Sequence, residues 1–121
     1  MERDMDLIRR IVMAVRESQK VVSGLEGVPR EQFAEHAQLL VEAGLVNANV
    51  LDGHKKPSGP ASIYRLTWAG HNFADSINED KLWQKAKDNI MKPAASWTFG
   101  ILLEYLKVEI SRKISVIDPF R

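Results

Sequence analysis

The chain has 121 residues, of which 45% are hydrophobic and 27% are charged, values typical of one soluble globular domain with a hydrophobic core. Seventeen Lys and Arg against sixteen Asp and Glu leave a net charge of +1, which excludes a strongly cationic protein that wraps nucleic acid through its bulk charge. The absence of cysteine excludes disulfides and thiolate metal sites and fits a reducing compartment.

The first predicted element is a helix that begins after Asp4, a good capping residue. Its apolar residues recur at helical spacing and form one stripe, made of Leu7, Ile8, Ile11, Val12 and Val15. The helix is expected to end between Ser18 and Lys20. Val21 and Val22 then predict a short strand, because Gly24 and Gly27 break the chain soon afterwards.

A second helix is predicted from Pro29, which suits a first helical turn, to a stop at Gly44. Its inner face is expected to contain Phe33, Ala37, Leu40 and Val41. Gly44 can adopt the left-handed conformation that ends a helix, and Leu45 can then fold back onto the last turn.

A hairpin follows, with one strand from Val46 to Leu51 and a return strand from Ser62 to Thr67. The turn region between them is expected to lack regular structure, because it contains Pro57, Gly59 and Pro60. Thr67 is expected to cap a third helix that runs to Ile77, with Phe73, Ala74 and Ile77 on its inner face. A fourth helix is predicted from Leu82 to about Met91, before Pro93.

The last predicted helix begins at Ser96 or Thr98 and ends near Arg112, with an irregular tail from Ser115. Apolar residues cover much of its circumference between Phe99 and Ile110, so it is expected to pack on more than one side. Two arrangements stay open at this point. The helix packs across the first helix of its own domain, or it pairs with a second copy of the chain in a homodimer.

These elements predict a mainly α protein with a small β hairpin. We expect a winged helix-turn-helix domain at residues 1–79 and a C-terminal helical extension at residues 80–121, which packs on that domain or forms a dimer interface. The order of elements from Phe33 to Gly70 carries this prediction. The scaffold helix usual in such domains is expected to be reduced, because only Val21 to Val28 is available for it.

Two resemblances support this fold. Phe33 to Gly70 resembles the DNA-binding half of bacterial winged-helix regulators through Leu40, Ala43-Gly44-Leu45-Val46 and Tyr64-Arg65-Leu66-Thr67-x-x-Gly70. A longer pattern resembles a domain-of-unknown-function family of short bacterial and phage proteins, through Met1-x-Arg3-Asp4-Met5-Asp6-Leu7-Ile8-Arg9, His36-x-x-Leu39-Leu40-x-Glu42-Ala43-Gly44-Leu45, Arg65-Leu66-Thr67-Trp68-x-Gly70-His71-x-Phe73 and a Trp-Lys-rich segment from Asp80 to Lys92. This resemblance implies a winged-helix-like fold and a bacterial or prophage origin, and it implies no catalytic residues.

In a winged helix the second helix of the pair lies in the major groove, and the wing contacts the DNA backbone or minor groove. We therefore predict that the chain binds double-stranded DNA as a transcriptional regulator. The predicted contacts are Arg30, Gln32, His36 and Gln38 on the groove helix, and His54, Lys55, Lys56 and Arg65 at the wing. The groove helix also carries Glu31, Glu35 and Glu42, which would repel phosphates.

Other interpretations remain open. The lysines of the turn are equally explained by a solvated loop, and the alternative function is a protein-interaction module that keeps the fold without binding DNA. The three histidines lack metal-site spacing, and no phosphate loop or nucleophile motif is present, so we expect no enzyme, metal or cofactor. The three tryptophans, Trp68, Trp83 and Trp97, are expected to pack in the core rather than stack on bases.

The predicted location is the cytoplasm, without membrane association. No apolar run reaches the ~20 residues that span a bilayer. The charged start of the chain, Met1 to Asp4, does not resemble a signal peptide, and the apolar residues that follow are interrupted by arginines.

Overall fold

A computed structural model of the chain describes residues 2–53, 56–92 and 97–117, with the backbone alone at 52–53, 56–59 and 113–117. The elements are α1 Met5–Glu17, α2 Arg30–Glu42, β1 Val46–Gly53, β2 Lys56–Leu66, α3 Trp68–Ile77, α4 Asp80–Ala86, a π-helical turn Lys87–Met91 and α5 Phe99–Ile117. The predicted fold class is confirmed: the protein is mainly helical with a small antiparallel hairpin, and this order is compatible with a winged helix.

The chain divides into two compact units, Met1–Ala74 and Asp75–Arg121. In the first unit α1 and α2 pack against each other and against the hairpin. Asp4 caps α1, because its carboxylate accepts a hydrogen bond from the Leu7 N–H at 3.1 Å. The whole predicted stripe of α1 is buried, so its five apolar residues form one side of the core.

The segment between α1 and α2 contains no helix, since residues 18–29 are all described and lack one. The predicted short strand is a single antiparallel bridge, in which Val22 and Ile63 exchange backbone hydrogen bonds of 3.0 and 2.9 Å. A tight turn then leads into α2, with Gly27 at a φ of 78°. The reduction of the scaffold helix, expected from the sequence, is therefore confirmed.

The C-terminus of α2 has the predicted glycine stop. Gly44 has a φ of 75°, and its N–H donates to the Val41 carbonyl, while the Leu45 N–H donates to the Leu40 carbonyl. This pair of bonds is a Schellman motif, which satisfies carbonyls at the helix end. Leu45 is buried as a result, and it begins the connection from α2 to the hairpin.

The hairpin is longer than predicted, because β2 begins at Lys56 rather than near Ser62. The strands pair at Val50–Ala61 and again at Asp52–Pro57, so β2 has two extra residues between these pairs. Pro57 and Pro60 lie at this irregularity. Proline is tolerated there because a disrupted ladder does not require every N–H.

The root of the hairpin is held by Thr67. Its N–H donates to the Leu45 carbonyl at 2.9 Å, and its hydroxyl donates to the Gly44 carbonyl at 2.6 Å. The same hydroxyl accepts the Gly70 N–H at 3.0 Å, so Thr67 caps α3 as predicted. Gly70 packs against the Leu45 carbonyl so closely that a Cβ would overlap it. These contacts join the two motifs that carried the resemblance to winged-helix regulators.

The second unit contains α4, the π-helical turn and α5. The predicted fourth helix is present, but its last turn is π-helical from Lys87 to Met91. α5 packs on α4, and Leu102 and Leu106 of α5 are fully buried. Asn89 of the π-helical turn donates to the Tyr105 hydroxyl at 2.8 Å. Lys85 and Glu109 form an ion pair of 3.5 Å.

The predicted irregular tail is wrong for residues 115–117, because α5 continues to Ile117. The physical reason is that no glycine or proline interrupts the sequence before Pro119. Thr98 caps this helix by accepting the Ile101 N–H at 3.1 Å, whereas Pro93 and Ser96 lie outside the described residues. None of the described helices is both long and apolar enough to cross a membrane.

Candidate nucleic-acid interface

The predicted groove-helix contacts do not all lie on the exposed side of α2. Arg30 is exposed, and Gln32 and Gln38 are half-buried. His36 is fully buried, at 0% exposure, so its prediction as a DNA contact is wrong. The reason is helical spacing: His36 lies next to Ala37 on the stripe that also contains buried Phe33 and Leu40.

His36 has a structural role that ties α2 to the start of α1. Its Nε2 accepts the backbone N–H of Asp4 at 2.9 Å, which leaves the proton on Nδ1. Nδ1 then donates to the Gln32 carbonyl at 2.9 Å. Both ring nitrogens are therefore satisfied inside the protein, and the imidazole is not directed at a ligand.

The remaining exposed surface of α2 carries more negative than positive charge. Glu31 and Glu42 are exposed and Glu35 is half-buried, whereas Arg30 is the only cationic residue of the helix. A helix with this balance is poorly suited to a phosphate-lined groove.

The hairpin and its flanking residues carry more positive than negative charge. Residues 43–74 contain Lys55, Lys56 and Arg65 but only one carboxylate, Asp52. The predicted contacts His54 and Lys55 lie outside the described residues. The backbone of Lys56 pairs with Gly53 as the outermost described pair of the ladder, so Lys56 lies at the end of the hairpin farthest from α3.

A β-bulge at Tyr64 shapes the outer face of the hairpin. Asn47 pairs with Arg65 and Ala48 pairs with Ile63, so Tyr64 is an extra residue in β2. The bulge allows Ile63 and Leu66 both to be buried, although they are three residues apart, while Tyr64 and Arg65 are both exposed. A regular strand would have directed Arg65 inward.

Side-chain hydrogen bonds hold this outer face in place. The Asn47 amide is oriented with its oxygen toward Arg65, because this orientation satisfies both its oxygen and its nitrogen. The oxygen accepts from Arg65 Nε at 3.1 Å and Nη2 at 2.9 Å. Arg65 Nη1 also donates to the Leu66 carbonyl at 3.1 Å. Asn49, which pairs with Ser62 in the ladder, donates to the hydroxyl of the bulged Tyr64 at 2.6 Å. The guanidinium and the phenol ring are thus oriented before any ligand arrives.

Trp68 is the first residue of α3 and lies two residues after the end of β2. It is 83% exposed, so its predicted packing in the core is wrong, whereas Trp83 is buried and Trp97 is half-buried. The buried stripe of α3 contains Gly70, Phe73, Ala74 and Ile77. Trp68 does not belong to that stripe. It lies two residues before Gly70, and residues two positions apart in an α-helix project from opposite sides.

The sequence contained a signal for the bulge at Tyr64 that the prediction missed. Ile63 and Leu66 are apolar at a spacing of three inside a strand, which period-two alternation does not allow without a bulge. Asn47 and Asn49 gave no signal of their pairing, because their partners depend on the register of the two strands.

Comparisons with known proteins agree with the predicted resemblance to a family of unknown function. A "Hypothetical protein (DUF2513)" family model matches residues 2–96. An "Uncharacterized protein" of Haemophilus influenzae is 27% identical over 120 residues, which cover 95% of this chain and 100% of the relative. No solved structure matches the chain. Because the family model covers more than half of the sequence, the chain belongs to the DUF2513 family.

Proposed function

We propose that this protein is a winged-helix DNA-binding protein with a regulatory role, and that the hairpin makes the main contact with duplex DNA. The observation that supports this proposal most is the charge of the hairpin. Three cationic residues and one carboxylate lie between residues 43 and 74, and none of the described side chains on the outer face that Tyr64 and Arg65 share is acidic.

Phosphate contacts are assigned to Lys55, Lys56 and Arg65, with His54 beside them. Neutralising three phosphates of duplex DNA gives a slope of about −2.7 in log affinity against log salt concentration. Arg65 is already oriented by Asn47, so it loses less side-chain entropy on binding than a free arginine would.

α2 has a secondary role in this proposal. Arg30 is the first residue of α2, so its positive charge lies at the N-terminal end of the helix dipole, and both favour a phosphate at this position. Gln32 and Gln38 are half-buried, so base contacts from α2 are limited to their exposed parts and to Arg30. Glu31 and Glu42 oppose a deep position in the major groove.

The decisive experiment measures binding of fluorescein-labelled mixed-sequence duplex DNA by anisotropy at two salt concentrations. We expect Lys55→Glu with Lys56→Glu to weaken binding by about ten-fold or more at low salt, and to reduce the salt slope to about −0.9. The matched control is Lys20→Glu with Lys81→Glu, which makes the same charge change at exposed lysines outside the hairpin. No binding by the wild type at low salt, or equal losses in both double variants, would contradict the proposal.

A second candidate function is a protein-interaction module without DNA binding. The observation that favours it is the acidic surface of α2, with Glu31 and Glu42 exposed. In that case the wild type would not bind the duplex at low salt, and substitutions on α2 would alter recognition of a protein partner.

We also propose that the protein forms a homodimer through α5. Leu102 and Leu106 are fully buried in the second unit, whereas Ile101 and Val108 are each 48% exposed. Ile101 and Val108 are seven residues apart, which places them on the same side of the helix. An apolar pair at this spacing suits contact with a second helix.

A further inference from the structure

Trp68 is the most exposed of the large apolar side chains that the structure describes, at 83%. Its role in the fold is small, because Thr67 caps α3 and Gly70 makes the close contact with Leu45. An indole left open to solvent forgoes most of the free energy that its burial would provide. A ligand that covers the ring would recover this free energy.

Two further planar groups lie close to Trp68 in the chain. Tyr64 is 49% exposed, and Arg65 follows it on the same outer face of the hairpin because of the bulge. Asn49 and Asn47 orient these two groups through the hydrogen bonds described above. Aromatic rings and guanidinium planes are the groups on which nucleic-acid bases stack.

The charge around these groups favours an anionic occupant. Arg65 supplies a positive charge next to Tyr64 in the chain, and the sequence between Gly53 and Ala74 contains no Asp or Glu. The polar positions on the outer face are Asn47, Asn49 and Arg65, so the face does not form the continuous apolar stripe that a partner helix requires. A polyanion with flat apolar rings therefore fits the surface better than a protein partner.

We infer that the exposed side chains of Tyr64, Arg65 and Trp68 bind the unpaired bases of single-stranded DNA. In a duplex the base faces are covered by their neighbours and only the edges are accessible, so exposed aromatic rings have few faces to stack on. The inference rests on the proposed function, since Lys56, at the end of the hairpin farthest from α3, and its chain neighbour Lys55 would contact phosphates of the duplex part of the substrate. The preferred substrate is then a duplex with a single-stranded extension.

The test compares three labelled probes with identical duplexes. One is blunt, one carries an oligo-dT extension, and one carries an abasic extension of the same length, which keeps the phosphates and lacks the bases. We expect the wild type to bind the oligo-dT probe about ten-fold more tightly than the other two, because each stacked base contributes measurably to affinity. The intrinsic tryptophan fluorescence of the wild type is expected to be quenched by the oligo-dT probe alone, and this quenching is expected to be absent from Trp68→Phe, which keeps Trp83 and Trp97.

Variants of Trp68 test whether the preference for the oligo-dT probe depends on the indole ring. Trp68→Ala is expected to abolish the preference for oligo-dT, while its affinity for the blunt duplex stays within about two-fold of the wild type. Trp68→Phe is expected to keep most of the preference for oligo-dT, because it keeps an aromatic ring. Val21→Ala, at an exposed apolar residue of the segment between α1 and α2, is the matched control. Thermal melting by circular dichroism establishes that each variant is folded.

The possible outcomes separate the two proposals. Equal affinity of the wild type for all three probes overturns the inference on bases and leaves duplex binding intact. Equal affinity for the oligo-dT and abasic extensions also overturns it, because phosphates alone would then account for the effect. Absence of binding to every probe at low salt overturns the proposed function as well.

Discussion

The imidazole of His36 accepts the backbone N–H of Asp4 across 32 residues of sequence, at a distance of 2.9 Å. The same Asp4 caps α1 through its carboxylate. His36 thus fixes the first turn of α1 against α2, using a side chain that is wholly buried. The first helix is positioned by a polar contact as well as by its apolar stripe.

Replacing His36 with alanine should destabilise the protein by about 2–4 kcal/mol, because it leaves a cavity and removes the acceptor of a backbone N–H. Urea denaturation followed by circular dichroism measures the change. Lys20→Ala, at an exposed position, is the control and should change stability by no more than about 0.5 kcal/mol. If His36→Ala instead kept full stability and lost DNA binding, His36 would be a ligand contact after all.

Gly70→Ala should destabilise the first unit by about 2 kcal/mol or more, since its Cβ would overlap the Leu45 carbonyl and the backbone itself would have to move. Gly24→Ala is the matched control. Gly24 has open space around its Cβ position, so alanine there should be neutral or stabilise by less than about 1 kcal/mol. Equal thermal midpoints for the two variants would argue against the close contact between α3 and the hairpin root.

Glu31→Gln should raise the affinity for duplex DNA at low salt by about two- to five-fold, because it removes a negative charge beside Arg30. The gain should disappear at high salt, where exposed charges are screened. Glu104→Gln is the control, since Glu104 is exposed on α5 and faces Lys107 at 3.8 Å. An unchanged affinity in Glu31→Gln would indicate that α2 lies away from the DNA.

Ile101→Asp with Val108→Asp should convert a dimer into a folded monomer, because a charged pair in the contact would be desolvated without a partner. Multi-angle light scattering over a range of concentrations measures the mass, and circular dichroism measures folding. Leu102→Asp is the comparison, and it should unfold the second unit because Leu102 is fully buried. A wild type that remains monomeric at high concentration would contradict the dimer.

Much of the fold was predictable because it depends on local patterns. The α1 stripe, the Gly44 stop and the Thr67 cap each arise from residues within one or two turns of each other. The candidate site was less predictable. His36 and Trp68 were both assigned to the wrong environment, because the side of a helix that becomes buried depends on which elements pack against it.

The sequence by itself determined the order of helices and strands, the scarcity of acidic residues in the hairpin and the acidic character of α2. The tertiary structure decided that His36 faces Asp4, that a bulge exposes both Tyr64 and Arg65, and that Trp68 lies open to solvent. The reason is physical. Periodicity reports local hydrogen bonding and burial, whereas strand register and helix packing are fixed by contacts between residues far apart in the chain.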